Sequence, residues 1–458
     1  MTGLATAELV PEEALMEFVR RQRWFGAKSA ELVAARVVDA VALREEGPML
    51  LETIAEVRYG SGAHDIYQLV LGRTEEGEPE TAIEATDGGT VYEALGDPYF
   101  TRELFHLLRA GSVLPSADGA FEFSALGQLT AEPPAFDAVR PLGLEQTNSS
   151  VVVNDELIVK AYRHLEAGVN PELELLRFFA THGYDNVPRL AGWWAYNGAL
   201  MSASLGIVQK FVPGAVDGWT LALEEIPAHP AEFVARVDRL GTVLGEMHSV
   251  LGSDSGDPVF APEEASRESL PLLIATVDDE IDEVFSNLPE GVEALRPIER
   301  CGDALRDLLR SVSTVGSVGK RIRHHGDLHL GQALWANGDW LIIDFEGEPA
   351  RPLPERRLKA SPLRDVAGIL RSFTYAVSVT GAADPTIEEE ARKRFLDAYF
   401  EATRASGILP PRETATRLLG IFELEKAVYE LRYELNNRPE WVSIPVAGIS
   451  RLLEEGLG

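Results

Sequence analysis

The sequence predicts an α+β protein with two lobes, a sheet-rich N-terminal lobe and a mostly helical C-terminal lobe. Short β-type runs joined by tight polar turns dominate the chain up to residue 212, whereas apolar residues at helical spacing dominate it from residue 231. Within the helical part, a polar loop at residues 323–332 precedes a short apolar run that ends at Asp344. We therefore divide the 458 residues into a front unit (1–90), the rest of the N-terminal lobe (91–212) and a C-terminal lobe (213–458).

Composition limits the classes of partner. With 42 basic and 73 acidic residues the net charge is −31, which disfavours binding to nucleic acid or to anionic membranes. The single cysteine, Cys301, permits no intramolecular disulfide and suits a reducing compartment. No apolar run approaches about 18 residues and no leader pattern is visible at the N-terminus. We expect a cytoplasmic protein.

The front unit begins with a helix and continues with strands. Residues 11–28 open with a proline and two acids, a helix-start pattern, and end in the cluster Arg23, Trp24, Phe25 and Lys28. This cluster either contacts an anionic ligand or anchors the unit to its neighbour. Strands are predicted at 33–43, 49–59 and 64–71, and a helix capped by Asp97 at 97–109.

A hairpin at residues 149–161, turning at Asn154-Asp155, carries Lys160 near the end of its second strand. A lysine at the end of an apolar strand suits binding of the α- and β-phosphates of ATP, and the preceding polar loop offers Thr147, Asn148 and Ser149 to phosphates. The helix that starts after Asn170 carries two acids that suit an ion pair with this lysine, and the sequence leaves open which one pairs: Glu172 or Glu174.

A second hairpin, at residues 188–212 with Asn197-Gly198 as its turn, leads to the C-terminal lobe. Its last residues are where a hinge that contacts adenine would lie: Gln209, Lys210, Phe211 and Val212. Beyond it, helices are predicted at 231–251, 271–286, 291–312, 387–405 and 413–437, and another begins near Arg364. We interpret His248, on the first of these, as a structural histidine.

The loop at 323–332 and the run ending at Asp344 have the spacing of phosphoryl-transfer machinery. A loop aspartate that orients the attacking hydroxyl, an amide five residues later and an aspartate at a strand end recur in kinases. Asp327 fits the first role, and Gln332 and Asp344 fit a metal site with help from Glu346. A turn-forming Asp327 and a helix-capping Asp344 are the structural alternatives.

The helix at 413–437 carries a polar and aromatic stripe that suits a sugar acceptor. Glu423, Lys426, Glu430 and Tyr433 supply carboxylates, an ammonium and an aromatic surface, and His329 of the polar loop is a further acceptor candidate. The alternative is an ordinary solvated helix face.

These motifs together resemble a known family. His325-Gly326-Asp327-Leu328-His329 and Asp344 are similar to the aminoglycoside-phosphotransferase-like kinases, which have a bilobal eukaryotic-kinase-like fold. Within that group the chain resembles the bacterial maltokinases of the actinobacterial type in four stretches: residues 22–28, 144–150, 344–365 and 429–441. The glutamine at position 332, where the wider group has asparagine, fits this subfamily.

The resemblance implies ATP- and Mg²⁺-dependent phosphorylation of maltose at its anomeric hydroxyl, for α-glucan synthesis. It also implies that residues 1–90 are the family's N-terminal cap, and that trehalose synthase is a partner that supplies maltose. The rival enzymes are a related actinobacterial glucosamine kinase, which would need extra carboxylates near the ammonium, and an aminoglycoside phosphotransferase, which is shorter and lacks a cap. A pseudokinase is the non-enzymatic alternative, but Lys160, Asp327 and Asp344 are all present.

Overall fold

The computed structural model describes residues 10–456 apart from 76, 78, 87, 131–137, 144–146, 200, 267, 312–317, 382, 383 and 385. These residues form two compact units, which meet in sequence between Pro213 and Gly214. Residues 144–146 of the resemblance lie outside the described part of the chain.

The N-terminal unit opens with a helix against an antiparallel sheet. Helix α1 (Glu12–Arg21) starts at the predicted proline and precedes a sheet of order β1-β2-β3-β5-β4. Its strands are β1 (Leu32–Arg44), β2 (Met49–Tyr59), β3 (His64–Thr74), β4 (Ala82–Thr86) and β5 (Gly89–Glu93). The first three confirm the predicted runs.

The Arg23–Lys28 cluster separates into a buried and an exposed half. Trp24 and Phe25 belong to the apolar core under the first sheet, with the Trp24 ring centroid 5.4 Å from that of Tyr67. Arg23 and Lys28 are exposed. The guanidinium of Arg163 lies 5.6 Å from the Trp24 ring centroid, which supports the anchoring interpretation of the aromatic pair.

A second antiparallel sheet of the same unit has the order β6-β7-β12-β13-β10-β9-β8. Its strands are β6 (Val113–Pro115), β7 (Gly119–Ala125), β8 (Val139–Pro141), β9 (Asn148–Val153), β10 (Leu157–Tyr162), β12 (Leu190–Gly198) and β13 (Ser202–Lys210). The short β11 (His164–Leu165) returns to pair with β3 of the first sheet. Helix α2 (Pro98–Ala110) has the predicted Asp97 cap, and helix α3 (Pro171–His182) is capped by Asn170.

Helices dominate the C-terminal unit. They are α4 (Gly218–Ala228), α5 (Pro230–Leu251), α6 (Ser269–Ser286), α7 (Gly302–Ser311), α8 (Leu353–Arg356), α9 (Leu363–Thr380), α10 (Ile387–Thr403), α11 (Arg412–Asn437) and α12 (Ser443–Glu455). A small sheet of order β14-β17-β18 consists of β14 (Val216–Asp217), β17 (Ala333–Ala336) and β18 (Asp339–Ile342), and β15 (Glu263–Glu264) pairs with β16 (Lys320–Arg321). In the part of the chain that the structure describes, no helix has the length and apolar character needed to cross a bilayer.

Two predicted elements are corrected. Asn197 pairs with Ser202, so Asn197-Gly198 ends β12 and the reversal comes after it. Because Asn197 also pairs with Ala120 of β7, strand β12 continues through the Asn197-Gly198 pair that was expected to form the turn. The helix predicted at 291–312 begins only at Gly302, because a 3-10 turn (Glu293–Leu295) and Pro297 occupy its first half.

Candidate functional site

The strand lysine of the N-terminal unit is buried in an ion pair. Lys160 Nζ on β10 lies 2.9 Å from Glu172 Oε2 on the first turn of α3, and both side chains are at most 7% exposed. Tyr162 Oη donates to the same carboxylate oxygen over 3.2 Å. Glu172 is thus the partner of Lys160, while Glu174 is half-buried one half-turn further along α3.

The residues of the predicted phosphate loop divide between the faces of β9. Lys160 is directly opposite Ser150 and Tyr162 opposite Asn148, so Asn148 shares the Lys160 face. Ser149 points to the other face, where its Oγ accepts from Arg163 Nε over 2.8 Å. The Ser149 hydroxyl is thus engaged by Arg163, and phosphate binding by the backbone of Ser149 stays a prediction. Thr147 is exposed at the end of the loop.

The predicted hinge residues leave β13 with part of their backbone already bonded. The N–H of Lys210 donates to Arg189 O over 2.9 Å, and that of Phe211 donates to Glu156 O over 2.8 Å. The Gln209 side chain is buried, whereas Phe211 and Val212 are half-buried. The backbone of Val212 takes part in no strand ladder of the described residues.

In the C-terminal unit a buried aspartate holds the loop that carries Asp327. Asp365 Oδ2 accepts from the N–H of His325 over 2.8 Å, and its Oδ1 accepts from that of Gly326 over 2.9 Å. His248 Nε2 donates to Oδ2 over 3.0 Å, and Tyr399 Oη donates to His248 Nδ1 over 2.9 Å. The structural interpretation of His248 is thereby supported.

Electrostatics favour the charged form of Asp365. Burial alone would raise the pKa of this carboxyl, but the hydrogen bond from His248 and the nearby histidines hold the pKa well below its ordinary value. Burial lowers the pKa of His324 to about 4, so that imidazole is neutral at pH 7. The loop therefore rests on a buried carboxylate rather than on a carboxylic acid.

Helix α9 contacts this loop along one face. Besides Asp365, Gly368 approaches Leu328 so closely that a Cβ there would lie 2.2 Å from the Leu328 carbonyl oxygen. Ser372 Oγ accepts from the N–H of Leu330 over 3.2 Å. These positions are spaced three and four residues apart, as one helix face requires.

The predicted metal ligands lie together where β18 ends. Gln332 Nε2 donates to Asp344 Oδ2 over 2.9 Å, and a carboxylate oxygen of Asp344 lies within 4.8 Å of one of Glu346. Asp344 has a φ of +64°, an unusual backbone conformation for a non-glycine residue. Two carboxylates and an amide oxygen form a hard oxygen donor set of the kind that Mg²⁺ prefers.

Asp327 faces helix α11. Its Oδ1 lies 3.7 Å from Lys426 Nζ, and both side chains are partly exposed. Burial raises the pKa of Tyr429, one turn beyond Lys426. His329 has a local structural role, because its Nδ1 accepts from the N–H of Gly331 over 3.1 Å, and burial lowers its pKa. The structure thus brings Lys426 of α11 to the Asp327 loop, of which His329 is a part.

The other predicted acceptor residues have different environments. Glu423 is buried and accepts from Arg392 and Arg451, so the prediction that it is an accessible sugar ligand is wrong. Glu430 is paired with Arg371 of α9. Tyr433 is exposed, with its ring stacked on Tyr429 at a centroid distance of 6.5 Å.

Comparison with known families decides the class of protein. A model of the phosphotransferase enzyme family matches residues 138–407, which include the Lys160 hairpin and the Asp327 loop. The chain belongs to this family. A model of the maltokinase N-terminal cap domain matches residues 18–97, in front of the phosphotransferase region.

Curated relatives of this phosphotransferase are similar over most of their length. It is 30% identical to a glucosamine kinase of Mycolicibacterium smegmatis over 69% of this chain and 80% of the relative. It is 25% identical to a glucosamine kinase of Streptacidiphilus jiangxiensis over 81% and 84%. A solved glucosamine kinase in complex with glucosamine, ADP and inorganic phosphate has a TM-score of 0.71 at 20% identity, over 96% of this chain and 99% of that one. The predicted fold, that of aminoglycoside-phosphotransferase-like kinases with an N-terminal sheet subdomain and a helical C-terminal region, is confirmed.

Sequence reasoning missed the burial and the partners of two charged residues of helix α9. Asp365 was within a predicted helix, yet its bonds to His325 and Gly326 span about 40 residues of chain and leave no local pattern. Arg371 was likewise read only as part of that helix. One signal could have indicated that both side chains are buried: each lies three or four residues from apolar residues, on the apolar face of the predicted helix.

Proposed function

We propose that this phosphotransferase is an ATP-dependent kinase that phosphorylates maltose at the anomeric hydroxyl, giving maltose 1-phosphate and ADP. The observation that carries the proposal is the arrangement in the C-terminal unit. There the Asp327 loop, fixed by Asp365, contacts Lys426, and Gln332 meets Asp344 at the end of a strand. This is the constellation that phosphoryl transfer requires, since catalysis rests on positioning and charge stabilisation.

In this proposal Asp327 orients the hydroxyl at C1 of the acceptor and receives its proton. The hydroxyl oxygen forms a bond to the γ-phosphorus while the bond between that phosphorus and the β–γ bridging oxygen breaks. Lys426, 3.7 Å from Asp327 Oδ1, places a positive charge beside this carboxylate on the face of α11 that would meet the acceptor.

The donor set at the end of β18 fits Mg²⁺, and Asp344, Glu346 and Gln332 would hold it. When bound, the metal neutralises charge on the phosphates. In the N-terminal unit, Lys160 would hold the α- and β-phosphates, kept in place by Glu172. Asn148, Thr147 and the backbone around Val212 would contribute the remaining ATP contacts, beside Gln209, Lys210 and Phe211.

Two observations support maltose as the acceptor. The match to the maltokinase cap domain covers residues 18–97. The stacked rings of Tyr429 and Tyr433 form an aromatic surface on α11 next to Lys426, which suits a sugar of more than one ring. An enzyme such as trehalose synthase, which would supply maltose, is the partner that this proposal implies, and a cytoplasmic location goes with it.

The similarity to two curated glucosamine kinases favours glucosamine as the second candidate acceptor. Both candidates use the same catalytic residues. They differ in the charge of the group that α11 must recognise, because glucosamine carries an ammonium at C2 and maltose does not.

An acceptor panel tests the proposal. ADP release from ATP and Mg²⁺ is measured with maltose, glucosamine, glucose and kanamycin offered separately. We expect turnover with maltose, and we expect Asp327→Asn to lower it by about 10²- to 10⁴-fold. Turnover with glucosamine alone would replace the acceptor in the proposal, and near-normal turnover of the Asp327 variant would remove Asp327 from its role.

A further inference from the structure

Helices α9 and α11 are joined by a series of polar pairs along their length. Arg364 Nη1 donates to Glu425 Oε1 over 3.0 Å, and Tyr375 Oη donates to Glu434 Oε1 over 3.1 Å. Between them, Arg371 Nε and Nη2 both donate to Glu430 Oε2, over 2.9 and 2.7 Å. The neighbouring face of α9 contacts the Asp327 loop, so α9 fixes the loop and α11 relative to each other.

The middle pair differs from the Arg364–Glu425 pair because its cation is buried, while its carboxylate keeps a similar small exposure. The Arg371 side chain is 1% exposed and that of Glu430 is 12% exposed. Both donated hydrogen bonds go to Oε2, so among the described residues none donates to Glu430 Oε1. Oε1 is therefore the available acceptor atom of a carboxylate whose charge is already compensated.

Gly448 of α12 lines the space that the Arg371 guanidinium occupies. A Cβ at position 448 would lie 2.1 Å from Arg371 Nη1, so only a glycine leaves room for the guanidinium. Nη1 is buried and has no hydrogen-bond partner among the described residues. The Arg371 side chain thus packs against α12 with Nη1 and bonds α11 with its other two nitrogen atoms.

We propose that Arg371 is a positioning residue for acceptor specificity: it orients Glu430 and cancels its charge, so that this carboxylate binds sugar hydroxyls but does not attract an ammonium. The proposal rests on the proposed function, in which α11 provides the acceptor site. A lone carboxylate at this place would favour an amino sugar, because opposite charges attract strongly where water is partly excluded.

Other carboxylates of this region are compensated in the same way. Asp327 is beside Lys426, and further pairs join Glu348 to Arg351, Glu425 to Arg364 and Glu434 to Arg438. An incoming ammonium would have to displace one of these cations, whereas a hydroxyl needs only a free oxygen such as Glu430 Oε1. The charge pattern therefore selects a neutral acceptor.

The test replaces the arginine and compares acceptors that differ in charge. Arg371→Gln is assayed for the KM of maltose and of ATP, and for inhibition of maltose phosphorylation by glucose and by glucosamine at pH 7. We expect the maltose KM to rise about tenfold with the ATP KM unchanged, because Glu430 is no longer held in place to accept hydrogen bonds from the sugar. We expect the inhibition constant of glucosamine to fall about tenfold relative to that of glucose.

Three further variants separate orientation from folding. Gly448→Ala pushes on the guanidinium without changing any charged group, and should raise the maltose KM in the same direction. Arg371→Lys retains the positive charge and should keep the wild-type glucose-to-glucosamine ratio. The double variant Arg371→Gln, Glu430→Gln removes both charges, avoids leaving a buried unpaired ion, and should also keep that ratio.

Tyr375→Phe is the matched control, since it breaks a neighbouring hydrogen bond between the same two helices and leaves Glu434 paired with Arg438. It should leave the maltose KM and the glucose-to-glucosamine ratio at their wild-type values. An unchanged glucose-to-glucosamine ratio in a folded Arg371→Gln protein would overturn the inference, as would an equal change in Tyr375→Phe. Failure of the proposed function has a different signature. In that case the wild-type protein does not turn over maltose, whereas the Arg371 effect is still measurable with any neutral sugar that it does phosphorylate.

Discussion

At the scale of single residues, Asp365 is the side chain on which the Asp327 loop depends. Its two oxygens accept from consecutive backbone N–H groups, and a buried histidine donates to it from helix α5. Because the carboxylate form is favoured, each of these hydrogen bonds has an ionised acceptor, which makes it stronger than a neutral one. The backbone around Asp327 is therefore held by charge-assisted bonds.

Asp365→Asn should lower kcat by about 10²-fold, because a displaced Asp327 loses its alignment with the acceptor. It should also lower the free energy of unfolding by about 3 kcal/mol, the cost typical of breaking a buried charged network. Steady-state kinetics and urea unfolding measure the two effects. Tyr399→Phe, which removes only the bond to His248, is the control and should cost about 1 kcal/mol. A fully active Asp365→Asn enzyme would contradict this account.

Glu52 gives a pH dependence to the N-terminal unit. The side chain is fully buried on β2, accepts from Gln68 Nε2 over 2.5 Å, and burial raises its pKa to about 8. The unfolded chain loses this proton near pH 4.5, whereas the folded chain keeps it up to about pH 8. The stabilisation is complete below the unfolded pKa and is lost as the pH rises to the folded one.

The free energy of unfolding should therefore fall by about 1.4 kcal/mol per pH unit from Glu52 alone between about pH 5 and pH 8. Urea titrations of the wild type and of Glu52→Gln at several pH values in this range isolate the contribution. The glutamine variant should lack this part of the slope and be the more stable protein at pH 8. Parallel curves for the two proteins would show that Glu52 ionises normally.

At the scale of elements, helix α9 organises the candidate site. One face presents Asp365, Gly368 and Ser372 to the Asp327 loop, and the adjacent face pairs with α11. A single helix thus contacts both the Asp327 loop and helix α11 and sets the distance between them. Sites built on helices hold their geometry better than sites built on loops alone.

Gly368→Ala tests that contact, because its new Cβ would lie 2.2 Å from the Leu328 carbonyl oxygen and must displace the loop. We expect kcat to fall about 10²-fold, although alanine is the better helix former. Gly302→Ala in α7 is the matched control, since a Cβ there meets Phe285 at an ordinary 3.5 Å. Comparable kcat values for both variants would show that α9 does not position the loop.

Elements that depend on neighbouring residues in the sequence were predicted correctly, whereas features that depend on partners distant in the sequence were not. The Asn170 cap and the Asn154-Asp155 turn act over a few residues, and both are confirmed. Asn197-Gly198 failed as a turn because β7 extends the strand from a distance, and Glu423 failed as a ligand because Arg392 and Arg451 reach it from other helices. Residue roles that depend on such partners cannot be read from spacing.

At the scale of the whole molecule, the order of the motifs along the chain identified it as a phosphotransferase. The Lys160 strand, the Glu172 helix, the Asp327 loop and the Asp344 strand end follow one another in the order of the phosphotransferase family, and the family match spans them. The net charge of −31 was less informative, because Lys426 and Glu430 of α11 are in ion pairs rather than on an acidic surface. The overall charge and the order of the motifs therefore do not identify the acceptor sugar.

The most direct test of the central claim is to identify the product by phosphorus–proton correlation NMR after incubation with ATP, Mg²⁺ and an equimolar mixture of maltose and glucosamine. The proposal predicts a phosphate coupled to the anomeric proton of maltose, with glucosamine left unmodified. A phosphate on glucosamine with maltose unmodified, or a phosphate on any other carbon of maltose, would contradict it.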